Sequence, residues 1–233
     1  MEFTDAFNHL KNDEIMSFLI DKFKNDITLV DRYETDFPKA IALLIIEQQV
    51  SFKAAITIKK RFLSLINNKN SNQILEIEND EMQSIGISHR KVDYIKNTYL
   101  FFLNNKTDYY KISQNEVVKE LTKIKGVGKW TAEMFLIFIL FKTNIFSKGD
   151  LALINSIKVN YNISQLSDQK LDSLIKKWSP YNTIASLLLW KSIEEKVFYK
   201  KISQNVLRIV LGKVLLQRPG NTSKRCLLQK YQL

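Results

Sequence analysis

The chain contains one cysteine, Cys226, among its 233 residues. It therefore builds no internal disulfide framework and no multi-cysteine metal site. Its two histidines, His9 and His89, stand far apart, which argues against zinc. The opening stretch, MEFTDAFNHLKNDE, is acidic and interrupted, unlike a secretory signal. The longest apolar run, Met134 to Phe141, is far too short to span a bilayer and suggests a buried central helix. No stretch alternates with period two for long, so the expected class is all-α. These absences describe a protein of the cytoplasm or nucleoid in a bacterium, or of the nucleus in a eukaryote, without a membrane partner.

Positive charge is what the chain has in excess: 35 Lys and Arg against 24 Asp and Glu, a formal +11 with pI near 9.5. Such a balance suits a polyanionic partner, although lysine enrichment contributes to it. At this length one compact unit with a core is expected, and nothing implies a dimer. Apolar spacing predicts one or two amphipathic helices within 1–30. Asp36-Phe37-Pro38 opens a helix that is apolar nearly all round and stops at Gln48-Gln49-Val50. Ser51 caps the next, from Phe52 to about Ile66. Short helices follow near 73–77 and 80–85, the second ended by Gly86. Ser88 starts a long one reaching Leu103. Further helices are expected from Asp150 to Val159, from Ser167-Asp168 to Trp178, and from Tyr181 to Val197 with Ser179-Pro180 as N-cap and first turn. The last is expected at 204–216, ahead of a Pro219-Gly220 break and a basic tail.

The stretch from Leu121 to Asp150 carries the densest signal. Ser113 and Glu116 have capping-box spacing ahead of a short helix, Val117 to Lys123. Ile124-Lys125-Gly126-Val127-Gly128 then makes a tight turn, since glycine accepts positive φ and lets another backbone approach. A new helix starts near Lys129 and runs to about Lys142. A turn opening into a helix N-terminus points unpaired N–H groups outward at the positive end of the helix dipole, a seat for a phosphate oxygen. Phe146-Ser147-Lys148-Gly149-Asp150 follows, with Asp150 placed to begin the next helix.

Hairpin, helix and Gly-Asp together resemble the helix-hairpin-helix base-excision DNA glycosylase superfamily. Glu47-Gln48-Gln49-Val50-Ser51, with Ala54-Ala55 beyond it, resembles a helix junction of the alkylation-repair branch, that of 3-methyladenine DNA glycosylase II. Gly86-Ile87-Ser88 with Lys91 and Tyr94 resembles a second segment of that branch, and Trp178-Ser179-Pro180-Tyr181 with Ala185 and Trp190 a third. These motifs span about residues 38–192; Asn182 departs from them, standing where the branch has Arg. The resemblance implies a two-lobed helical fold without an N-terminal β domain. Lobe A would cover 37–143 and lobe B 1–36 plus 144–233, with the active site in the cleft between them. It implies duplex DNA with damaged bases as partner and Asp150 as catalytic carboxylate. Lys125, Gly126, Val127, Gly128, Lys129 and Thr131 would contact the DNA backbone. The side chain that fills the vacated base stack would come from Gln48, Gln49, Val50 or Ser51, with Gln49 and Val50 preferred.

Trp130, Met134, Trp178 and Tyr181 are the candidates for the base pocket, although Trp178, like Trp190, suits a core position as well. The superfamily's bifunctional members place a Schiff-base lysine second after the last hairpin glycine. Here that place holds Trp130, and Lys129, one residue early, is turned by about 100°. Base removal without a lyase step is the expectation. The rivals are a bifunctional enzyme using Lys129 and a non-catalytic DNA clamp. No cofactor is implied: a four-cysteine iron–sulfur cluster, found in some relatives, is impossible here. Whether a monovalent cation sits at the hairpin carbonyls stays open.

Overall fold

The computed structural model describes residues 3–199. The expected helix at 204–216, the basic tail and Cys226 lie outside them. Within them there are twelve α-helices, one 3-10 turn and no strand. α1 (Thr4–Leu10) and α2 (Glu14–Phe23) form the expected amphipathic start, with the Asp13 carboxylate accepting from the N–H groups of Ile15 and Met16. The 3-10 turn Val30–Arg32 has no periodicity to announce it. α3 (Phe37–Glu47) begins at an Asp36 cap with Pro38 in its first turn, and α4 (Phe52–Leu65) begins at a Ser51 cap. α5 (Ser71–Glu76), α6 (Asn79–Ser84) and α7 (His89–Asn104) follow. α8 (Gln114–Leu121) carries the capping box of Ser113 and Glu116, and α9 (Lys129–Phe138) follows the glycine turn. α10 (Leu151–Asn160), α11 (Asp168–Trp178) and α12 (Asn182–Glu195) complete the set.

Two departures from the expected boundaries have tertiary causes. α9 stops at Phe138 although its apolar run continues to Phe141. Leu140 N–H turns back to the Phe135 carbonyl (3.1 Å), Lys142 N–H bonds Leu136 (2.9 Å), and Phe141 takes φ +50°. The released carbonyls dock on α12: Lys142 C=O accepts from the Thr183 hydroxyl (2.6 Å) and Thr143 C=O from Thr183 N–H (2.9 Å). The second departure is at Ser179-Pro180, which forms a turn, so that α12 starts two residues later at Asn182. Asn182, the departure from the family pattern, is buried and donates to Asn144 (2.6 Å), tying the head of α12 to the same docking turn.

Burial falls into two apolar cores. The first is built from α3 to α9, with Ile41, Ile45, Phe62, Ile95, Leu121, Phe135 and Ile137 all fully or nearly fully buried. The second joins α1 and α2 to α10, α11 and α12 through Leu19, Ile20, Leu153, Ile157, Trp178 and Leu188. α12 spans both. Leu187 belongs to the first core, Leu188 to the second, and Trp190 packs against each. Leu29 and Ile145 also belong to the first core, although the expected lobe boundary places them in lobe B. Among the described residues no helix is long and apolar enough to cross a membrane.

Candidate active site

Asp150 is the N-cap of α10, and its position is set by the loop before it. Ser147, fully buried, donates its hydroxyl to the buried Glu133 carboxylate of α9 (2.5 Å). Its carbonyl then accepts from Asp150 N–H (3.1 Å). With its backbone so fixed, the Asp150 carboxylate collects three donors. Oδ1 accepts from Leu153 N–H (3.0 Å) and from Trp190 Nε1 (3.2 Å). Oδ2 accepts from Trp130 Nε1 (2.8 Å). The side chain is half-buried, and none of the recorded ion pairs among the described residues includes it. Neutral donors thus hold a carboxylate that has no ion-pair partner among the described residues. In a partly dry site that is an arrangement for stabilising positive charge on something else.

The pocket candidates separate sharply. Trp130, in the first turn of α9, reaches Asp150 as described. Trp190, expected as core, reaches it from α12 and also stacks on Phe138 (centroids 6.0 Å apart, 27° between planes). Sequence reasoning missed Trp190 as a site residue; the available signal was that a half-buried indole N–H needs an acceptor. Trp178 is fully buried in the second core, beside the rings of Phe146 (5.9 Å) and Tyr161 (6.2 Å), and is no pocket residue. Met134 is only 1 % exposed and packs into the first core, so it is no pocket-lining residue. Tyr181 packs with the second core and sets its ring against His9 (5.4 Å), and it is not among the donors to Asp150.

The glycine turn presents itself as expected, with its two glycines doing different things. Gly126 has φ +100°, and a Cβ there would fall 2.1 Å from Tyr94 Cγ, so α7 packs against bare backbone. Gly128 has an ordinary φ of −91°, and a Cβ would meet no atom within 4 Å. Nothing among the described residues requires glycine at 128. Val127 is buried and anchors the turn, while Lys125 and Lys129 are exposed. The first bond of α9 runs from Ala132 N–H to Gly128 C=O (3.1 Å), and no side chain caps the helix. The amides of Lys129, Trp130 and Thr131 are therefore free to meet an anionic oxygen. Thr131 is only 1 % exposed and its hydroxyl accepts from Gln48 (3.0 Å), so its side chain serves the frame and is not presented to a ligand. Lys129 leans towards Glu133 (3.8 Å) with 74 % of its side chain exposed, in keeping with the expected rotation away from Asp150.

The Gln48–Ser51 turn abuts this hairpin. Gln48 Nε2 donates to Gly126 C=O (3.2 Å) and Thr131 Oγ1 (3.0 Å), which makes it a strut rather than a free tip. Ser51 Oγ is used in capping α4, and Val50 is half-buried. Gln49 alone of the four is exposed, at the apex with φ +55°. Lys91 supports the turn from α7, donating to the carbonyls of Ile46 (2.9 Å) and Gln48 (2.6 Å) at the negative end of α3. Burial, with a smaller contribution from Arg90, lowers its ammonium below the usual lysine pKa. Among the described residues no group of three or more His, Cys, Asp or Glu side chains could hold a metal ion.

A helical hairpin with an open glycine, an exposed tip beside it, and a carboxylate at the head of the following helix define a helix-hairpin-helix protein with an acidic site. The chain belongs to the HhH-GPD superfamily of base excision DNA repair proteins, whose model matches residues 42–181. Among its relatives, DNA-3-methyladenine glycosylase 1 of Schizosaccharomyces pombe is 30% identical over 159 residues, covering 64% of this chain and 68% of that protein. YfjP of Bacillus subtilis, to which a DNA-3-methyladenine glycosylase activity is ascribed, is 29% identical over 165 residues, and the match spans 64% of this chain but only 56% of YfjP. The structure of S. pombe 3-methyladenine DNA glycosylase Mag1 in complex with abasic DNA superposes with a TM-score of 0.77 at 25% identity, covering 85% of this chain and all of that one.

Proposed function

We propose that the protein is a monofunctional DNA glycosylase, which hydrolyses the N-glycosidic bond of alkylated purines in duplex DNA after flipping the nucleotide. The observation that carries this is Asp150, a carboxylate held by two indole N–H groups and a helix amide, with no ion-pair partner among the described residues. A base must leave the stack before it is excised, at a cost of a few kcal/mol. The α9 amides with Lys125 and Lys129 would hold the flanking phosphates meanwhile, and Gly128 leaves room for their approach. Gln49, the exposed apex, is placed to fill the vacated stack. As the glycosidic bond breaks, positive charge grows on the sugar; Asp150 would stabilise it and orient the attacking water. An alkylated purine is already cationic, hence a good leaving group, and needs no general acid. The catalytic step needs no cofactor. The likeness to relatives named for 3-methyladenine excision supports this substrate class.

Against a lyase step stands Lys129, exposed and turned to Glu133 while Trp130 occupies the approach to Asp150. A clamp without catalysis has no use for a carboxylate so held. The protein would act as a monomer wherever the genome is kept. The test is incubation with duplex DNA carrying 7-methylguanine, 3-methyladenine or hypoxanthine. Free base should appear, strands should break only after alkali, and borohydride should trap no adduct. An adduct abolished by Lys129→Ala would establish the bifunctional reading, and no base release from any duplex would leave the clamp.

A further inference from the structure

We propose that a basic groove running on from the hairpin along α7 is a second seat for the DNA backbone, holding the duplex several base pairs beyond the lesion. The inference rests on the reading of the glycine hairpin as a DNA clamp. The groove has a volume of about 600 Å³ and lies between the C-terminal half of α7, the loop that follows it and the entry to the hairpin. Its lining includes Asn97 and Leu100 of α7, Asn105 and Lys106 of the loop, and Lys123 and Lys125 at the hairpin. Lys125 therefore belongs to both surfaces, and the groove is continuous with the clamp.

Its charge suits one kind of occupant. Among the described residues no acid lines the groove. Lys123 is paired with Glu120 (2.5 Å), but Lys106 and Lys125 are exposed and enter no ion pair recorded among the described residues. Asp108, the next acid along the loop, is occupied by Lys111 (3.1 Å). Asn105 uses its side-chain oxygen to accept from Thr107 N–H (2.8 Å), which leaves its amide N–H groups to donate. Ammonium and amide donors without a carboxylate are the partners that phosphate oxygens take. Leu100, 51% exposed, adds an apolar face for a deoxyribose. The carbonyl end of α7 opposes an anion, but that effect fades within a turn and two uncompensated ammonium groups outweigh it.

α7 also sets the order of the contacts. Lys91, near its start, holds the Gln48 turn, and Tyr94 packs against Gly126. Asn104, its last residue, lies ten residues further on, about 15 Å along the helix. Candidate wedge, hairpin and groove thus follow one another along a single helix. With a rise of about 3.4 Å per base pair, the far end of the groove stands roughly four base pairs past the phosphates that the hairpin holds.

The test is the dissociation constant for duplexes carrying one tetrahydrofuran abasic analogue, which fixes the register and has no base to lose. The parent and a Lys106→Gln/Lys123→Gln protein are compared on a duplex with about twelve base pairs on each side of the analogue, and on duplexes cut to about four on one side or the other. On the long duplex the variant should bind roughly tenfold more weakly, with the log–log slope against salt shallower by about two. Cutting one particular arm should weaken the parent to a similar extent and abolish the difference between the proteins. Cutting the other arm should leave that difference in place. A difference that survives both cuts, no difference on the long duplex, or a parent indifferent to the length of either arm would overturn the proposal. Lys11→Gln/Lys24→Gln removes the same charge at the ends of α1 and α2. An equal, arm-dependent loss in that protein would show bulk charge at work and overturn the proposal too. Release of 7-methylguanine by the parent is measured alongside. Release without an arm-length effect removes the groove alone, whereas an arm-length effect without release removes the excision reading and leaves the groove.

Discussion

Asp150 takes part in two structures at once, and they have different consequences when it is changed. Its bond to Leu153 N–H caps α10, and its bonds to Trp130 and Trp190 aim the carboxylate. Asn keeps the capping ability, since Asn and Asp are near-equal caps, but loses the charge. Asp150→Asn should therefore melt close to the parent temperature, bind DNA, and release base at least about 10²-fold more slowly. Release at nearly the parental rate would reduce Asp150 to a cap. Trp190 gives a second expectation at this scale. Trp190→Phe keeps a ring to stack on Phe138 and removes one donor. A bond to a charged group is worth about 1.5 kcal/mol or more, so excision should slow roughly tenfold. Cationic and neutral bases should suffer alike, because the loss falls on Asp150; a loss confined to cationic bases would place Trp190 in base recognition instead.

Between elements, α7 is the part that holds both surface turns in register. Tyr94 packs against bare Gly126 in the hairpin, while Lys91 holds the carbonyls that end α3. Gln48 completes the frame by joining the two turns directly. The two glycines of the hairpin should then fail in different assays. Gly126→Ala places a methyl inside the Tyr94 ring and keeps an unfavourable φ, so it should lower stability by about 2–4 kcal/mol in thermal melts. Gly128→Ala should leave the melting temperature unchanged and raise the dissociation constant for damaged and undamaged duplexes equally, since phosphate contacts carry no base information. If Gly128→Ala instead weakened binding to damaged duplex alone, the hairpin would belong to the pocket. Much of this frame was legible beforehand, because the capping box at Ser113, the glycine spacing and Asp150 are local signals. The Gln48 strut, the Tyr94 contact and the early end of α9 join residues dozens of positions apart, and periodicity within one helix has no access to them. Trp178 and Trp190 show the same limit. They lie on consecutive helices with similar surroundings in sequence, yet only the packed structure sends one into a core and the other to a carboxylate.

Across the whole molecule, the two cores are closed in different ways. The first is built from consecutive helices, whereas the second needs α1 and α2 to return against α10, α11 and α12. Asp13 is the polar fastening of that return. It caps α2, is 4% exposed, and accepts from Lys177 of α11 at 2.9 Å, across 164 residues of sequence. Burial alone would raise its carboxyl pKa, but the Lys177 ammonium and the Met16 amide outweigh burial and hold it below the ordinary value. A carboxylate depressed in the folded state contributes stability that is fully present above its unfolded pKa of about 3.9 and disappears as pH falls through the lower folded value. Asp13→Asn retains the cap and loses the ion pair. Because Lys177 is 48% exposed, screening keeps the effect to about 1 kcal/mol, or about 2–4 °C in melting temperature at neutral pH. The difference between parent and variant should persist down to about pH 5, then shrink through the acid range and vanish once the parent carboxyl is protonated. Melting temperatures of both proteins measured from pH 7 to pH 3 provide the check. A difference that does not depend on pH would mean that Asp13 acts through its cap alone, and that apolar contact by itself brings the first two helices back to the second core.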